Sequence, residues 1–204
     1  HGVLYEQGRL WELGTLGGAY SETRAINSKG EIAGAAQDSN GRWRAFKYDR
    51  AGGMIDLGTL GGNGSFGTAI NDAGDVVGYA DDFIDDFRAF VYRNGVMTDL
   101  GTLGGKISYA AGINNAGQVV GTAATESDHR PAFLHDPAPG MIDLGTLGGR
   151  QSSAAAVNDA GVVVGSAQTA DRHWHAFIHD GKQMVDLGAL IGYGSSFATD
   201  INNA

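Results

Sequence analysis

The chain has no cysteine, only 3 prolines in 204 residues, and only 14 Lys and Arg against 23 Asp and Glu. Without cysteine there are no disulfides and no thiolate metal sites, which leaves the redox compartment open. The formal net charge of -9 and a pI near 4.9 would meet a phosphate backbone mostly with repulsion, so nucleic acid is not an expected partner. No apolar run approaches the roughly 18 residues of a membrane span, and no basic-then-apolar start resembles a signal peptide, so a soluble chain without a span is expected. The sequence opens on His1 rather than Met, the mark expected of a processed, trimmed or partial product.

What is abundant is glycine, 34 residues without collagen's triplet spacing. That number is too high for a helical protein and suits turns recurring between short strands. A hydrophobic fraction of 42% is enough for a core.

The glycines fall in a repeat. An acid followed by Leu-Gly-Thr-Leu-Gly-Gly occupies Glu12 to Gly18, Asp56 to Gly62, Asp99 to Gly105 and Asp143 to Gly149, then loosens to Asp186-Leu187-Gly188-Ala189-Leu190-Ile191-Gly192. Ile or Val followed by Asn ends at Asn27, Asn71, Asn114, Asn158 and Asn202, each with a serine six residues earlier at 21, 65, 108, 152 and 196. Ala-Phe stands at 45–46, 89–90, 132–133 and 176–177, always 19 residues after the Asn, with Gly2-Val3 at the same place in the first, incomplete copy. The period is about 44 residues, the size of a propeller blade.

Between these landmarks lie four short strands, a to d. Strand a runs from serine to asparagine, and a glycine-closed turn such as Asn71-Asp72-Ala73-Gly74 leads to strand b with Val76-Val77-Gly78. Strand c is Arg88 to Tyr92, and Asn94-Gly95 closes a hairpin onto strand d, Val96 to Gly101. One such meander buries too little alone, so copies must stack. A linear β-solenoid is the rival, but its coils rarely need four strands and two hairpin turns per unit.

The expected fold is therefore an all-β, five-bladed β-propeller of four-stranded antiparallel blades forming a single domain over 1–204. Its repeats are approximately 19–62, 63–105, 106–149 and 150–192, and a composite closing blade joins 193–204 to 1–18. That blade lacks strand b, a gap that a neighbouring chain's strand could fill by self-association. The alternative is a piece of a larger ring. The last linker carries one extra residue, so Tyr193 is expected to bulge.

On these motifs the chain resembles the HAF-repeat family of bacterial proteins, named for a triplet that stands here as His175-Ala176-Phe177. The resemblance covers essentially the whole chain and rests more on Asp-Leu-Gly-Thr-Leu-Gly-Gly than on the triplet, which has Arg44, Arg88 or Pro131 elsewhere. It implies a secreted or surface-exposed bacterial protein and lends no catalytic residues.

Every strongly patterned residue occurs about five times, whereas a catalytic site needs one asymmetric constellation, so no catalytic residue is assigned. The recurring Ser and Asn could line ligand sites, but turn capping and strand-end hydrogen bonding explain them more cheaply. The base opening each triplet is expected to pair with the acid of the following motif: Arg44 with Asp56, Arg88 with Asp99, His175 with Asp186 and His1 with Glu12. Pro131 leaves Asp143 to Arg130, a backbone donor or water.

His173, His175 and His179 share a strand face and could in principle grip a metal, but His179 aligns with Tyr5, Tyr48, Tyr92 and His135, an aromatic core slot. A copper site at His1 is likewise displaced by its place in the repeat. Asp81, Asp82, Asp85 and Asp86 crowd one b-to-c loop that could hold Ca²⁺, the sole cofactor considered; a solvated acidic loop is the plainer reading. The b-to-c loops are what varies: Gln37 to Trp43, Asp81 to Phe87, Ala124 to Arg130 and Gln168 to Trp174. Trp43, Phe87 and Trp174 share one slot and offer flat faces suited to sugar rings, with Asp82, Asp85 and His173 as polar neighbours; partial core caps are the alternative.

The function expected from sequence is a non-enzymatic extracellular binding or assembly module for glycan or a protein surface. The alternatives are a secreted carbohydrate-active hydrolase or lyase working at the channel mouth, and a purely structural subunit or fragment of a larger propeller.

Overall fold

The structure is a computed structural model, and it describes residues 1–84, 86–190 and 194–204. Among these the chain is all-β, with no helix. It divides into two compact units, His1–Asp99 and Leu100–Ala204.

The first unit opens with a two-stranded hairpin, β1 (Val3–Glu6) and β2 (Arg9–Glu12). Two four-stranded antiparallel meanders follow. One holds β3 (Gly17–Ile26), β4 (Ile32–Asp38), β5 (Trp43–Asp49) and β6 (Gly53–Asp56); the other holds β7 (Ser65–Ile70), β8 (Val76–Asp81), β9 (Phe87–Arg93) and β10 (Val96–Asp99). The second unit repeats the pattern in β11 (Gly104–Ile113), β12 (Val119–Thr125), β13 (Ala132–Asp136) and β14 (Gly140–Asp143), then in β15 (Gly148–Val157), β16 (Val163–Thr169), β17 (Trp174–His179) and β18 (Met184–Asp186). These are propeller blades, with strands a to d in chain order, and the two-stranded sheet is an incomplete one.

Face-to-face packing of sheets makes the core. In the first unit Ala33, Ala45 and Leu57 of one blade meet Ile70, Val76 and Phe90 of the next; in the second, Val120, Ala132 and Leu144 meet Val157, Val163 and Phe177. The Ala-Phe phenylalanines at 46, 90, 133 and 177 are fully buried. Each lies across from a strand-b glycine, that of Val-Val-Gly in three blades and of Ile32-Ala33-Gly34 in the first, as in Gly78↔Phe90 and Gly34↔Phe46. Strand a carries a bulge beside that glycine, between Gly67 and Ala69 in β7, and the Phe66 carbonyl would lie 1.9 Å from a Cβ on Gly78. Only glycine fits there, because any side chain would strike the backbone of the bulged strand.

The seven-residue motif has a physical reading at each place. Its acid accepts the N–H two residues on, as Asp56 does from Gly58 and Asp143 from Gly145. Its first leucine is a core plug against the following blade, 5% exposed at Leu57 and 8% at Leu144. Its threonine hydroxyl accepts the N–H of the first paired glycine and donates to the carbonyl of the second, in all four intact copies. Ala189 can make neither bond.

The buried serines connect one blade to the next. Ser65 Oγ donates to the Gly58 carbonyl at 2.5 Å and accepts the Ala45 N–H of the preceding blade at 2.8 Å. Ser21, Ser152 and Ser196 make the same two bonds. Asparagines add a second link. Asn27 donates through its side chain to the Asn71 carbonyl, Asn114 to Asn158 and Asn158 to Asn202, while each closes its own turn by accepting backbone N–H groups.

The expected strand a over 194–202 is not a strand in residues 194–204. In the complete blades strand a pairs only with its own strand b, so without that partner it has no ladder to join. The segment is nevertheless docked on the last blade. Ser196 keeps its bonds to Gly188 and Ala176, and Asn203 accepts the Asp159 N–H. The extra linker residue is accommodated between Gly188 and Ser196 without losing this link. The expected bulge at Tyr193 lies outside the described residues.

Replacing Ser65 by Ala strands a buried N–H and a buried carbonyl, at about 1–3 kcal/mol for each group. The urea midpoint should fall clearly for Ser65→Ala and less for Ser196→Ala, whose surroundings are more exposed. Equal midpoints for Ser65→Ala and the parent would show that water replaces the hydroxyl.

Candidate functional site

The b-to-c hairpins differ in sequence but share one closing backbone hydrogen bond, as from the Asp38 N–H to the Arg42 carbonyl and from the Asp82 N–H to the Asp86 carbonyl. The first residue of each caps the turn from its side chain: Asp38 accepts the N–H of Asn40 and Arg42, Asp82 those of Ile84 and Asp86, Thr125 that of His129 and Thr169 that of His173. An acceptor at this position holds the loop whatever follows it. The acidic loop is thereby explained in part, since one carboxylate oxygen of Asp82 is engaged by its own backbone. Asp81 sits at the end of β8 with its N–H on the Gly64 carbonyl, and Asp85 lies outside the described residues. Among the described residues no group of three or more His, Asp and Glu is placed to hold a metal ion.

Each hairpin delivers the first residue of strand c to its exit. Trp43 and Phe87 stand there in the first unit, and they belong to a longer aromatic row. The Trp43 ring lies 6.1 Å from Phe66, Phe66 stacks on Tyr79 at 5.1 Å, and Tyr79 meets the edge of Phe87 at 5.5 Å. All four are partly exposed. In the second unit Trp174 stacks on Phe197 at 6.4 Å, repeating the Trp43 and Phe66 relation. Arg130 takes the slot in the remaining blade and uses its backbone to bond Arg150 and Ser152. The partners Phe66 and Phe197 were not singled out from sequence. The available signal was the residue after each strand-a serine, which is aromatic at 66, 109 and 197.

A polar pair borders the row. Arg24 donates to Glu22 at 2.7 Å, the bond that raises its already high pKa most. Burial raises the Tyr79 phenol, Arg24 opposes that shift and Glu22 adds to it, so the hydroxyl stays neutral and can donate.

The expected c-to-d register is present, with Phe90 across from Asp99 and Phe177 across from Asp186. Arg88 lies 3.2 Å from Asp99, His175 lies 3.0 Å from Asp186, and His1 contacts Glu12. Arg44 is the correction. It turns away from Asp56 to Asp38 at 3.4 Å, because Asp38 closes its own hairpin beside Arg44 and both side chains are only 16% exposed. Asp56 is left capping Gly58. Asp143, facing Pro131, takes the Gly145 N–H.

The three clustered histidines serve separate partners. His173 is 4.0 Å from Asp171, His175 is bound to Asp186, and buried His179 accepts the Gly181 N–H through Nδ1. The last is the aromatic-slot role, filled by an imidazole in its neutral form.

No family model matches the sequence, and no curated protein matches it. Among solved structures, TolB from Acinetobacter baumannii aligns with 87% of this chain at a TM-score of 0.61 and 14% identity, a likeness that shows a shared fold. The chain spans 45% of that protein's length. A triple-arginine variant of AofleA from Arthrobotrys oligospora aligns with 82% of this chain and 57% of its own, at 10% identity and a TM-score of 0.44. No helix among the described residues is long and apolar enough to cross a membrane.

Stability should fall in acid in two stages. Burial lowers the pKa of His135 and His179 from 6.5, so below that pH the unfolded chain takes up protons that the folded one refuses. Asp186 is held below 3.8, chiefly by its hydrogen bond from His175, so its contribution is present above that pH and is lost as pH falls through the lowered value. His179→Tyr, which installs the residue found at 48 and 92, should flatten the first stage. Urea midpoints at neutral pH and about one unit below the ordinary histidine range check this. An unchanged pH slope in the variant would mean that His179 titrates as freely folded as unfolded.

Proposed function

We propose that the protein is a non-enzymatic binding module whose ligand is neutral glycan, held on the aromatic row Trp43, Phe66, Tyr79 and Phe87 and on the smaller pair Trp174 and Phe197. The row itself carries this reading: four partly exposed rings at 5.1 to 6.1 Å spacing, Trp43 and Phe87 of them at the exits of capped hairpins, with the Glu22 carboxylate and Arg24 guanidinium acting on the Tyr79 phenol within the row. Sugar rings present flat C–H faces to aromatic rings and hydroxyls to such polar groups. The net charge of -9 favours a neutral polysaccharide over an anionic one.

The same reading makes the chain an extracellular member of the HAF-repeat proteins, supported by the Asp-Leu-Gly-Thr-Leu-Gly-Gly run in phase over its length. Two aromatic platforms on one chain suit a polymeric ligand, since simultaneous engagement can raise avidity by about 10²–10⁴.

Trp43→Ala with Trp174→Ala should abolish retention on a neutral polysaccharide column while leaving the β-sheet circular dichroism intact, and each single change should weaken it by less. Monosaccharides should compete poorly. Undiminished retention of the double variant would remove the platform and leave an assembly role ahead.

A further inference from the structure

Apart from the aromatic row, and independent of it, a cavity of about 600 Å³ lies between the blade β11–β14 and the blade β15–β18, both of them complete. It is lined by the glycine pair of the linker, Gly148 and Gly149, and by side chains from three places. His129 comes from the preceding blade's hairpin, Arg150 and Gln151 from β15, and Gln168, Ala170 and Arg172 from the end of β16 and its hairpin.

Three positions decide whether a copy has this space and what charge surrounds it. The residue after the glycine pair is Ala19, Asn63, Lys106 or Arg150; the one after the hairpin's capping acceptor is Ser39, Phe83, Glu126 or Ala170; two further on stands Gly41, Asp85, Asp128 or Arg172. In the second copy the Phe83 ring lies on the glycine pair, 2.5 Å from where a Cβ on Gly61 would be. Ala170, the smallest of its series, leaves the ground over Gly148 open. In the third copy Lys106 is outweighed by Glu126 and Asp128. The fourth alone combines a small residue with two arginines.

Both arginines stand on fixed backbone. Arg172 has a φ of 69°, the left-handed conformation that Gly41 takes at 78° in the first hairpin and that a Cβ disfavours. Arg150 is clasped to the preceding blade: the Arg130 N–H donates to its carbonyl at 3.1 Å, and the Arg130 carbonyl accepts the Ser152 N–H at 2.9 Å. The acids flanking His129 and Arg172 are engaged, Asp171 by the Thr169 hydroxyl at 2.8 Å and Asp128 with Arg130 at 4.0 Å. Among the described residues neither Arg150 nor Arg172 has a carboxylate within ion-pair distance.

We propose that this cavity binds an acidic sugar, a hexuronate, through its carboxylate. Guanidinium groups meet a carboxylate in a two-bond fork, and the amides of Gln151 and Gln168 suit ring hydroxyls. The volume is that of a small-molecule pocket and exceeds what a bare inorganic anion fills, and no large apolar side chain is among the described residues that line it, which fits a hydroxylated ligand. The net charge of -9 does not oppose this, because charges more than about 8 Å away are largely screened at physiological ionic strength while the two arginines act at contact.

The test titrates digalacturonate, and galactobiose as its uncharged counterpart, into the protein and follows the amide NMR shifts of residues 148–151 and 168–172. Saturable binding of digalacturonate is expected at these residues, weakening as salt is added, with galactobiose at least about tenfold weaker there, a difference of about 1.4 kcal/mol. Arg150→Gln with Arg172→Gln should keep the melting temperature, since both side chains are exposed, and lose that preference. Ala170→Phe, which installs the residue found at 83, should keep the melting temperature and exclude the ligand. No digalacturonate shifts at these residues, equal affinity for galactobiose there, undiminished binding by the double variant, or a triaspartate peptide binding there as tightly as digalacturonate would each overturn the proposal.

Discussion

The interaction on which the structure depends is the two-way bond of a buried serine hydroxyl. It satisfies an N–H at the head of strand c in one blade and a linker carbonyl leading into the next, so two backbone groups that packing would leave dry are paired by a single atom. The rest follows from that demand. The serine must arrive at one distance from its linker glycine, and the threonine and paired glycines of the motif set that distance. Where Ala189 replaces the threonine and one residue is added, the serine bond is still made by Ser196 to Gly188 and Ala176.

Strand order, blade size and c-to-d register were legible in the sequence because each depends on spacing, and the landmarks keep their phase. Arg44 was misassigned for a reason that spacing does not carry. The Asp38 side chain, which closes its own hairpin, is brought to 3.4 Å from the guanidinium by the fold of the b-to-c turn, a proximity that c-to-d spacing does not report. The strand-a bulge was also missed, although the glycine of Val-Val-Gly is its trace. A glycine in a strand interior marks a close approach, and here the approaching group is the Phe66 carbonyl or its counterpart in the other copies.

The b-to-c hairpins, the part of the repeat that varies in sequence, are each closed by one capping acceptor, at Asp38, Asp82, Thr125 or Thr169. The aromatic row could not be read from one strand, since its members come from strands a, b and c and from two blades; only pairing brings Phe66 beside Tyr79. The histidine cluster shows the converse. Three residues within seven positions of one another and plausible as ligands are separated by partners that each had nearer to hand.

The asparagine links join residues 44 apart, and each also closes its own turn. A whole repeat could therefore be gained or lost by duplication or deletion in the gene with every inter-blade bond reformed between new neighbours. A change of a few residues inside a repeat has no such freedom and must be absorbed within one linker. Such an array evolves in quanta: its length is open to change by the blade, and its surface by single substitutions on hairpins closed by the same backbone hydrogen bond.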